Sequence, residues 1–235
     1  MDTRIYIMTH KEFEAPQAAG YIPMQVGAAG KKSLGYLQDD TGENISERNP
    51  YFCELTGLYW LWKNVDCDII GLCHYRRYFV QEQKVNCELP LSQRLLEREY
   101  IEKCLSEYDL IVPNSGMSQN ENILIQYATQ HNVADYLECG KVILEKYPQY
   151  YPAYAWSQKC NFISLGNMFI GKKKLMDEYC AWLFDILFEV EKRVDISNYS
   201  DYQKRIFGFL SERLFRVWMM GNSLKIREEQ TIFLE

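Results

Sequence analysis

The chain has 235 residues, 47% of them hydrophobic and 14% aromatic, and its formal net charge at pH 7 is −6. This charge argues against a nucleic-acid partner, because binding to a phosphate backbone needs a concentrated basic surface. Eight cysteines without a C-x-x-C pair and only three histidines fit neither a zinc site nor a disulfide framework. No linker rich in Pro, Gly or Ser divides the sequence, so we expect one domain over residues 1–235.

Targeting and membrane signals are also missing from the sequence. The first ten residues contain no apolar segment with a cleavage site, and no run of 18 apolar residues occurs. We therefore expect a cytoplasmic protein with reduced thiols and at most peripheral contact with the inner face of the cell membrane. The basic run Lys172–Lys174 is better explained as the start of a helix than as a contact for anionic lipid.

The N-terminal third predicts a strand, a loop and a helix. The β-rich run Arg4–Met8 is a strand that ends at Thr9 and His10. A turn-rich segment follows, and then a polar loop over residues 39–44. The segment 49–63 opens with an Asn-Pro helix start and is apolar almost all round, which predicts a buried helix.

The remaining two thirds alternate between strand and helix patterns. Strands are predicted over 68–79, 110–112 and 161–170, and helices over 92–107, 120–154 with a stop at Pro148, 175–190 and 200–220. This alternation predicts an α/β fold with a mostly parallel central sheet flanked by helices. In such sheets, ligands bind beyond the carboxyl ends of the strands. That rule selects Thr9, His10, the loop 39–44 and the segment 74–78.

A candidate metal-binding motif lies at the opposite edge of the predicted sheet, where the amino ends of the strands are. Asp66-Cys67-Asp68 has the D-x-D spacing that can hold a divalent cation, but it stands at the amino end of its strand. Two aspartates at a turn between a helix and a strand are common. We therefore predict no metal ligand and no cofactor, with a divalent cation as the alternative.

Basic residues occupy the place where a metal site would be expected. His74, Arg76 and Arg77 follow a buried strand, and guanidinium groups offer paired donors that match the oxygens of a diphosphate. The alternative is a salt-bridged strand end, with one arginine paired to an aspartate. Alternation along a strand would also turn Arg76 and Arg77 to opposite faces, unless the strand has already ended.

Two glutamates lie in apolar helical surroundings. Glu54 is the single charge in its part of the helix 49–63, and a buried carboxylate needs a partner. The structural alternative for Glu54 is an ion pair with Arg76, Arg77 or Lys63. Glu212 has Gly208 and Phe215 on its side of the last helix, where desolvation would raise its pKa and make it a better general base. The alternative for Glu212 is an ordinary surface ion pair with Arg216, four residues further on.

Several segments together resemble a known family. They are D-T-G-E-N-I-S at 40–46, C-E-L-T-G-L-Y-W at 53–60, I-G-L-C-H-Y-R-R-Y-F at 70–79, N-M-F-I at 167–170 and G-F-L-S-E-R-L at 208–214. This pattern resembles the exopolysaccharide-biosynthesis glycosyltransferase family that was long described only as a domain of unknown function. The resemblance extends over essentially the whole chain.

The resemblance implies a GT-A-like (Rossmann-like) fold and a nucleotide-sugar donor, with UDP-galactofuranose as the first candidate. It also implies a lipid-linked glycan acceptor, belonging to capsule, exopolysaccharide or the O-antigen of lipopolysaccharide. Together with the residue patterns, this gives candidate roles: Thr9, His10, Asp39, Asp40 and Asn44 for base and ribose, and His74, Arg76 and Arg77 for the diphosphate, with Tyr78 as a further donor-binding residue. Glu212 and His74 are the candidates for catalysis, and Asn167 and Arg213 are the candidates for the acceptor. The alternative is a non-catalytic sugar-binding or nucleotide-binding partner of another transferase.

Overall fold

The first strand forms where the sequence predicts it. In a computed structural model, which describes residues 1–117, 119–163 and 166–234, strand β1 runs over Thr3–Thr9. Ile5 and Ile7 pack into a hydrophobic cluster on one face of the sheet, and Tyr6 and Met8 pack into a second cluster on the other face. Both faces of β1 are therefore covered, as expected for a central strand of a layered α/β fold.

Ten strands and nine α-helices occur within the described ranges. The further strands are β2 (Tyr21–Gln25), β3 (Leu37–Gln38), β4 (Ile69–His74), β5 (Arg77–Val80), β6 (Leu110–Pro113), β7 (Gly116–Met117), β8 (Phe162–Ile163), β9 (Phe169–Lys172) and β10 (Ile226–Phe233). The helices are α1 (Asn49–Phe52), α2 (Leu55–Asn64), α3 (Leu91–Arg94), α4 (Arg98–Glu107), α5 (Ile123–Gln130), α6 (Val133–Lys146), α7 (Tyr151–Ser157), α8 (Lys173–Glu191) and α9 (Ile206–Gly221).

Eight of these strands form one mixed sheet. Their order is β3-β2-β1-β4-β5-β10-β6-β9, and β4 also pairs with β9. The pairs β2–β3, β1–β2, β1–β4 and β6–β10 are parallel, whereas β4–β5, β5–β10, β4–β9 and β6–β9 are antiparallel. The prediction of a mostly parallel sheet is therefore corrected. Only two residues separate β4 from β5, and so short a connection allows only an antiparallel return.

The long predicted helices are interrupted in the structure. The segment predicted as one helix over 49–63 forms α1 and α2, which are separated at Cys53 by a backbone φ of 52°. The segment 92–107 divides into α3 and α4, and 120–154 divides into α5, α6 and α7. Ser200 Oγ accepts a hydrogen bond from the backbone N–H of Gln203 at 3.3 Å, but the N-cap residue of the short 3-10 turn before α9 is Tyr202. The predicted strand over 161–170 forms β8 and β9, and its residues 164 and 165 lie outside the described part.

The helices cover the sheet unequally. Helices α2, α6, α7, α8 and α9 contribute to the cluster on the Tyr6 face, and α4 contributes to the cluster on the Ile5 face. Gly57 of α2 lies so close to the sheet that a Cβ atom there would be 2.7 Å from Met8 Sδ. This contact brings the first turn of α2 to the carboxyl end of β1. None of the helices in the described ranges is long and apolar enough to cross a membrane.

Candidate functional site

A cavity of about 570 Å³ opens at the carboxyl ends of β1 and β4. Ligands bind at this edge of open α/β sheets, and the volume is within the roughly 300–1,000 Å³ typical of small-molecule sites. The polar residues in its wall are Thr9, His10, Asn49, Glu54, His74, Tyr75, Arg76, Arg77, Asp201, Lys204, Arg205 and Glu212. The structure thus brings together six of the predicted site residues: Thr9, His10, His74, Arg76, Arg77 and Glu212.

The turn between β4 and β5 carries both arginines. Strand β4 ends at His74, and β5 begins at Arg77, which pairs with His74 in antiparallel register. Because the strand has ended, Arg76 and Arg77 both line the cavity. Their guanidinium carbons lie 5.4 and 5.6 Å from the ring centre of Phe233 on β10. Neither arginine forms an ion pair within the described ranges, which contradicts the alternative of a salt-bridged strand end.

Two further cations come from the segment before α9. Lys204 lines the cavity 3.4 Å from Asp201, and Arg205 donates a hydrogen bond to Cys53 Sγ at 3.2 Å. The neighbouring His10 has a lowered pKa, chiefly because of burial and also because of nearby lysines and arginines. The four cations outnumber the three carboxylates of the same wall, Glu54, Asp201 and Glu212. This balance favours an anionic ligand, such as a diphosphate.

Glu212 is enclosed on α9 and has two protein partners. Its side chain is only 14% exposed. Oε1 accepts the backbone N–H of Gly166 at 2.6 Å, and Oε2 accepts from Arg213 at 2.7 Å. Burial raises the pKa of Glu212 to about 7, and the charge of Glu54 adds to this, whereas Arg213 opposes it. The surface ion pair with Arg216 does not form, since the Arg216 guanidinium lies over the ring of Phe162.

The backbone of one residue, Gly166, contacts both catalytic candidates. The carbonyl of Gly166 lies 2.6 Å from His74 Nε2, and its N–H donates to Glu212. A carbonyl only accepts, so His74 Nε2 carries the proton of this bond. Gly166 has φ 96°, and a Cβ there would lie 3.1 Å from an Arg77 nitrogen. The positive φ favours glycine at this position, and a Cβ there would also press on the Arg77 guanidinium. The sequence patterns did not identify this glycine.

The two predicted acceptor residues lie behind the cavity wall. Asn167 is 5% exposed, and its amide donates to Glu54 Oε1 at 2.7 Å. Arg213 is 4% exposed and donates to Glu212 and to Gln126 Oε1. Their predicted contact with an acceptor is therefore corrected, because their polar atoms face protein groups. Both residues position a glutamate instead.

Asp39 is also placed differently from the prediction. Its side chain is fully buried, and its two oxygens accept from the backbone N–H groups of Gly27 and Ala28 at 2.8 and 2.9 Å. The hydroxyl groups of Ser46 and Thr56 donate to the same carboxylate. With both oxygens occupied, Asp39 organises the loops beyond β2 and β3, and the predicted contact with a nucleoside is corrected.

The other three predicted donor-binding residues do not line the cavity. Asn44 closes its own turn by donating to the carbonyl of Gly42 and accepting from the backbone of Ser46. Asp40 lies outside the cavity wall. Tyr78 is fully buried on β5, and its hydroxyl donates to the carbonyl of Tyr75 at 3.0 Å. Tyr78 therefore belongs to the core beneath the segment that carries Arg76 and Arg77, which we call the arginine turn.

The D-x-D segment lies at the amino end of β4, as the sequence predicts. Asp68 accepts a hydrogen bond from the backbone N–H of Asp2 at 2.7 Å, and its carbonyl accepts from the backbone of Lys173. Among the described residues, no group of three or more His, Cys, Asp or Glu side chains is arranged to hold a metal ion. Binding without a metal stays a prediction.

The fold and the cavity define a class of protein: an α/β protein with a cation-lined ligand site and a buried carboxylate of raised pKa. More particularly, the chain belongs to the family described as a domain of unknown function, DUF4422, whose profile matches residues 4–223. This confirms the predicted resemblance at the level of that family.

One solved structure extends the comparison. The chain is similar to the apo structure of the bifunctional glycosyltransferase WbbM, at 29% identity and a TM-score of 0.93. The match covers 100% of this chain and 46% of that chain, so this chain spans less than half of its length. No match was found among curated proteins.

Proposed function

We propose that this protein is a glycosyltransferase that moves a sugar from a UDP-sugar to a hydroxyl of a growing glycan. Galactofuranose is the first candidate for the sugar, and a lipid-linked capsule, exopolysaccharide or O-antigen unit is the candidate acceptor. The observation that carries the proposal is the cavity that combines Arg76 and Arg77 with the enclosed Glu212. The likeness to WbbM over the whole of this chain supports it. We place the reaction at the cytoplasmic face of the membrane.

The proposed chemistry gives the two arginines and Glu212 different tasks. Arg76 and Arg77 hold the diphosphate and stabilise the negative charge that grows on it as it leaves. The acceptor oxygen bonds to the anomeric carbon while the bond from that carbon to the diphosphate oxygen breaks, and its electron pair leaves with UDP. Glu212 receives the proton of the acceptor hydroxyl if the reaction inverts the anomeric centre. A base with a pKa near 7 is half unprotonated at neutral pH.

A donor screen tests the proposal. UDP-galactofuranose, UDP-galactose and UDP-glucose are compared by thermal shift, because a ligand that binds the folded state raises its melting temperature. The donor that stabilises the protein is then incubated without an acceptor, and UDP release is measured. We expect slow release that Glu212→Gln abolishes. Tight binding with no release, with or without added glycans, would instead favour the non-catalytic alternative.

A further inference from the structure

Glu54 occupies an unusual break in the chain. Helix α1 ends at Phe52, and Cys53 takes φ 52° before α2 begins at Leu55. The carbonyl of Cys53 accepts a hydrogen bond from the Asn49 side chain at 2.8 Å, which holds the break in place. A left-handed conformation is costly for a residue with a side chain, and such strain concentrates at functional sites. The break places Glu54 in the cavity wall.

A buried chain of hydrogen bonds fixes the orientation of this carboxylate. Ser211 Oγ lies 2.8 Å from both Asn167 Oδ1 and the carbonyl oxygen of Gly208, which share its one hydrogen. Asn167 Nδ2 donates to Glu54 Oε1 at 2.7 Å. Asn167 itself has φ 48°, a second left-handed position beside the same cavity. Within the described part of the chain, Glu54 Oε2 has no hydrogen-bond partner. One oxygen of Glu54 is thus anchored, and the other is available to a ligand.

We propose that Glu54 contacts the sugar of the donor and accepts hydrogen bonds from its hydroxyl groups through Oε2. This inference rests on the proposed function and adds a specificity-determining residue to it. The position at the start of α2 suits the role, because the positive end of a helix dipole stabilises a negative charge. A carboxylate accepts from hydroxyl groups and cannot donate to them, whereas the cations of the same cavity can only donate.

Glu54 is better suited to this role than the other glutamate of the cavity. Both oxygens of Glu212 already accept short hydrogen bonds, from Gly166 and from Arg213. The carboxylate of Glu54 accepts from one neutral amide and forms no ion pair among the described residues. A ligand hydroxyl therefore meets an open acceptor at Glu54.

The test compares binding of UDP with binding of the UDP-sugar that stabilises the parent most in the donor screen. In Glu54→Gln, the amide oxygen can keep the bond from Asn167, but the group that faces the sugar becomes a donor. We expect the dissociation constant of the UDP-sugar, relative to that of UDP, to rise by roughly 10- to 100-fold, as for a lost hydrogen bond to a charged group. The affinity for UDP itself is expected to stay within about twofold, since no bond to the diphosphate is lost.

Two further variants keep the test decisive. Ser211→Ala removes the contact of Ser211 with Asn167 and leaves Glu54 in place, so a smaller rise in the same ratio is expected. This variant gives the answer if Glu54→Gln folds poorly. Glu99→Gln is the matched control, because Glu99 is an exposed glutamate in the first turn of α4, outside the cavity wall. An unchanged ratio in both Glu54→Gln and Ser211→Ala overturns the role of Glu54 alone. A parent that binds UDP but none of the UDP-sugars overturns the proposed function as well.

Discussion

Glu212→Gln tests the chemistry of the cavity through the stability of the protein as well as through its activity. Burial raises the pKa of this carboxyl from an ordinary value of 4.5 to about 7. A tenfold change in proton affinity is worth about 1.4 kcal/mol, so this rise corresponds to roughly 3 kcal/mol. The side chain is 14% exposed, and solvent screening therefore removes little of this energy.

The sign of the pH dependence follows from which state holds the proton. Below pH 4.5 the carboxyl is protonated in both the folded and the unfolded chain, and it adds no pH-dependent cost. As the pH rises from 4.5 towards 7, the unfolded chain releases this proton while the folded chain keeps it, so the free energy of unfolding falls. Above pH 7 the carboxyl is ionised in both states, and the free energy of unfolding is lowered by the full amount. Gln cannot ionise, so the variant lacks this fall.

The assay is urea unfolding of the parent and Glu212→Gln at pH 4.5, 6.5 and 8.5. From pH 4.5 to pH 8.5, the free energy of unfolding of Glu212→Gln minus that of the parent should rise by about 3 kcal/mol. Turnover of the donor should drop at least about a hundredfold, and the parental rate should rise with pH through about 7, since the base must be unprotonated. Arg216→Met is the control on the same helix and should keep near-parental turnover. A stability difference that does not change with pH would refute the reasoning.

Three further predictions concern the rest of the cavity. Arg76→Ala or Arg77→Ala should weaken binding of UDP by about 1.5–3 kcal/mol and leave binding of uridine unchanged, both measured by calorimetry. If both variants bind UDP with parental affinity, the two arginines have only a structural role. Binding of UDP should survive EDTA, and a hundredfold loss that manganese restores would count against a metal-free site. Asp39→Asn should lower the free energy of unfolding by about 1–3 kcal/mol in urea, because a donor replaces an acceptor among buried donors. The folded fraction of Asp39→Asn should bind UDP with the affinity of the parent. A reduced affinity of this folded fraction would show that Asp39 contacts the ligand after all.

Local sequence patterns predicted the parts of the site that depend on single elements. The apolar run of β1 and its polar end predicted that Thr9 and His10 lie at the carboxyl end of the strand, where the structure has them. This worked because alternation and burial are properties of a single strand. Helical spacing predicted that Glu212 would be enclosed by apolar neighbours, and its pKa is raised by burial, as expected. Position beyond a buried strand was enough to select the arginine turn.

Other features depend on contacts that local patterns do not contain. Asp39 was assigned to a ligand because its loop was expected beyond the carboxyl end of a strand, but a carboxylate there also satisfies backbone donors of a neighbouring loop. Lys204 and Arg205 reach the cavity only through the packing of the segment before α9. Strand β10 was not predicted, because polar residues interrupt its apolar pattern. It forms a strand because it pairs with β5 and β6. Gly166 became recognisable only through its φ and its close neighbour.

The contribution of β10 to the cavity affects the order in which the protein can mature. Phe233 lies beneath both guanidinium groups of the arginine turn, although more than 150 positions separate it from Arg77. A ribosome therefore exposes the arginine turn long before the ring that supports it has been translated. Strand pairing across such separations is slow to form, so the ligand-binding surface is completed late in folding. Binding of a ligand in this cavity would then report that β10 has paired with β5.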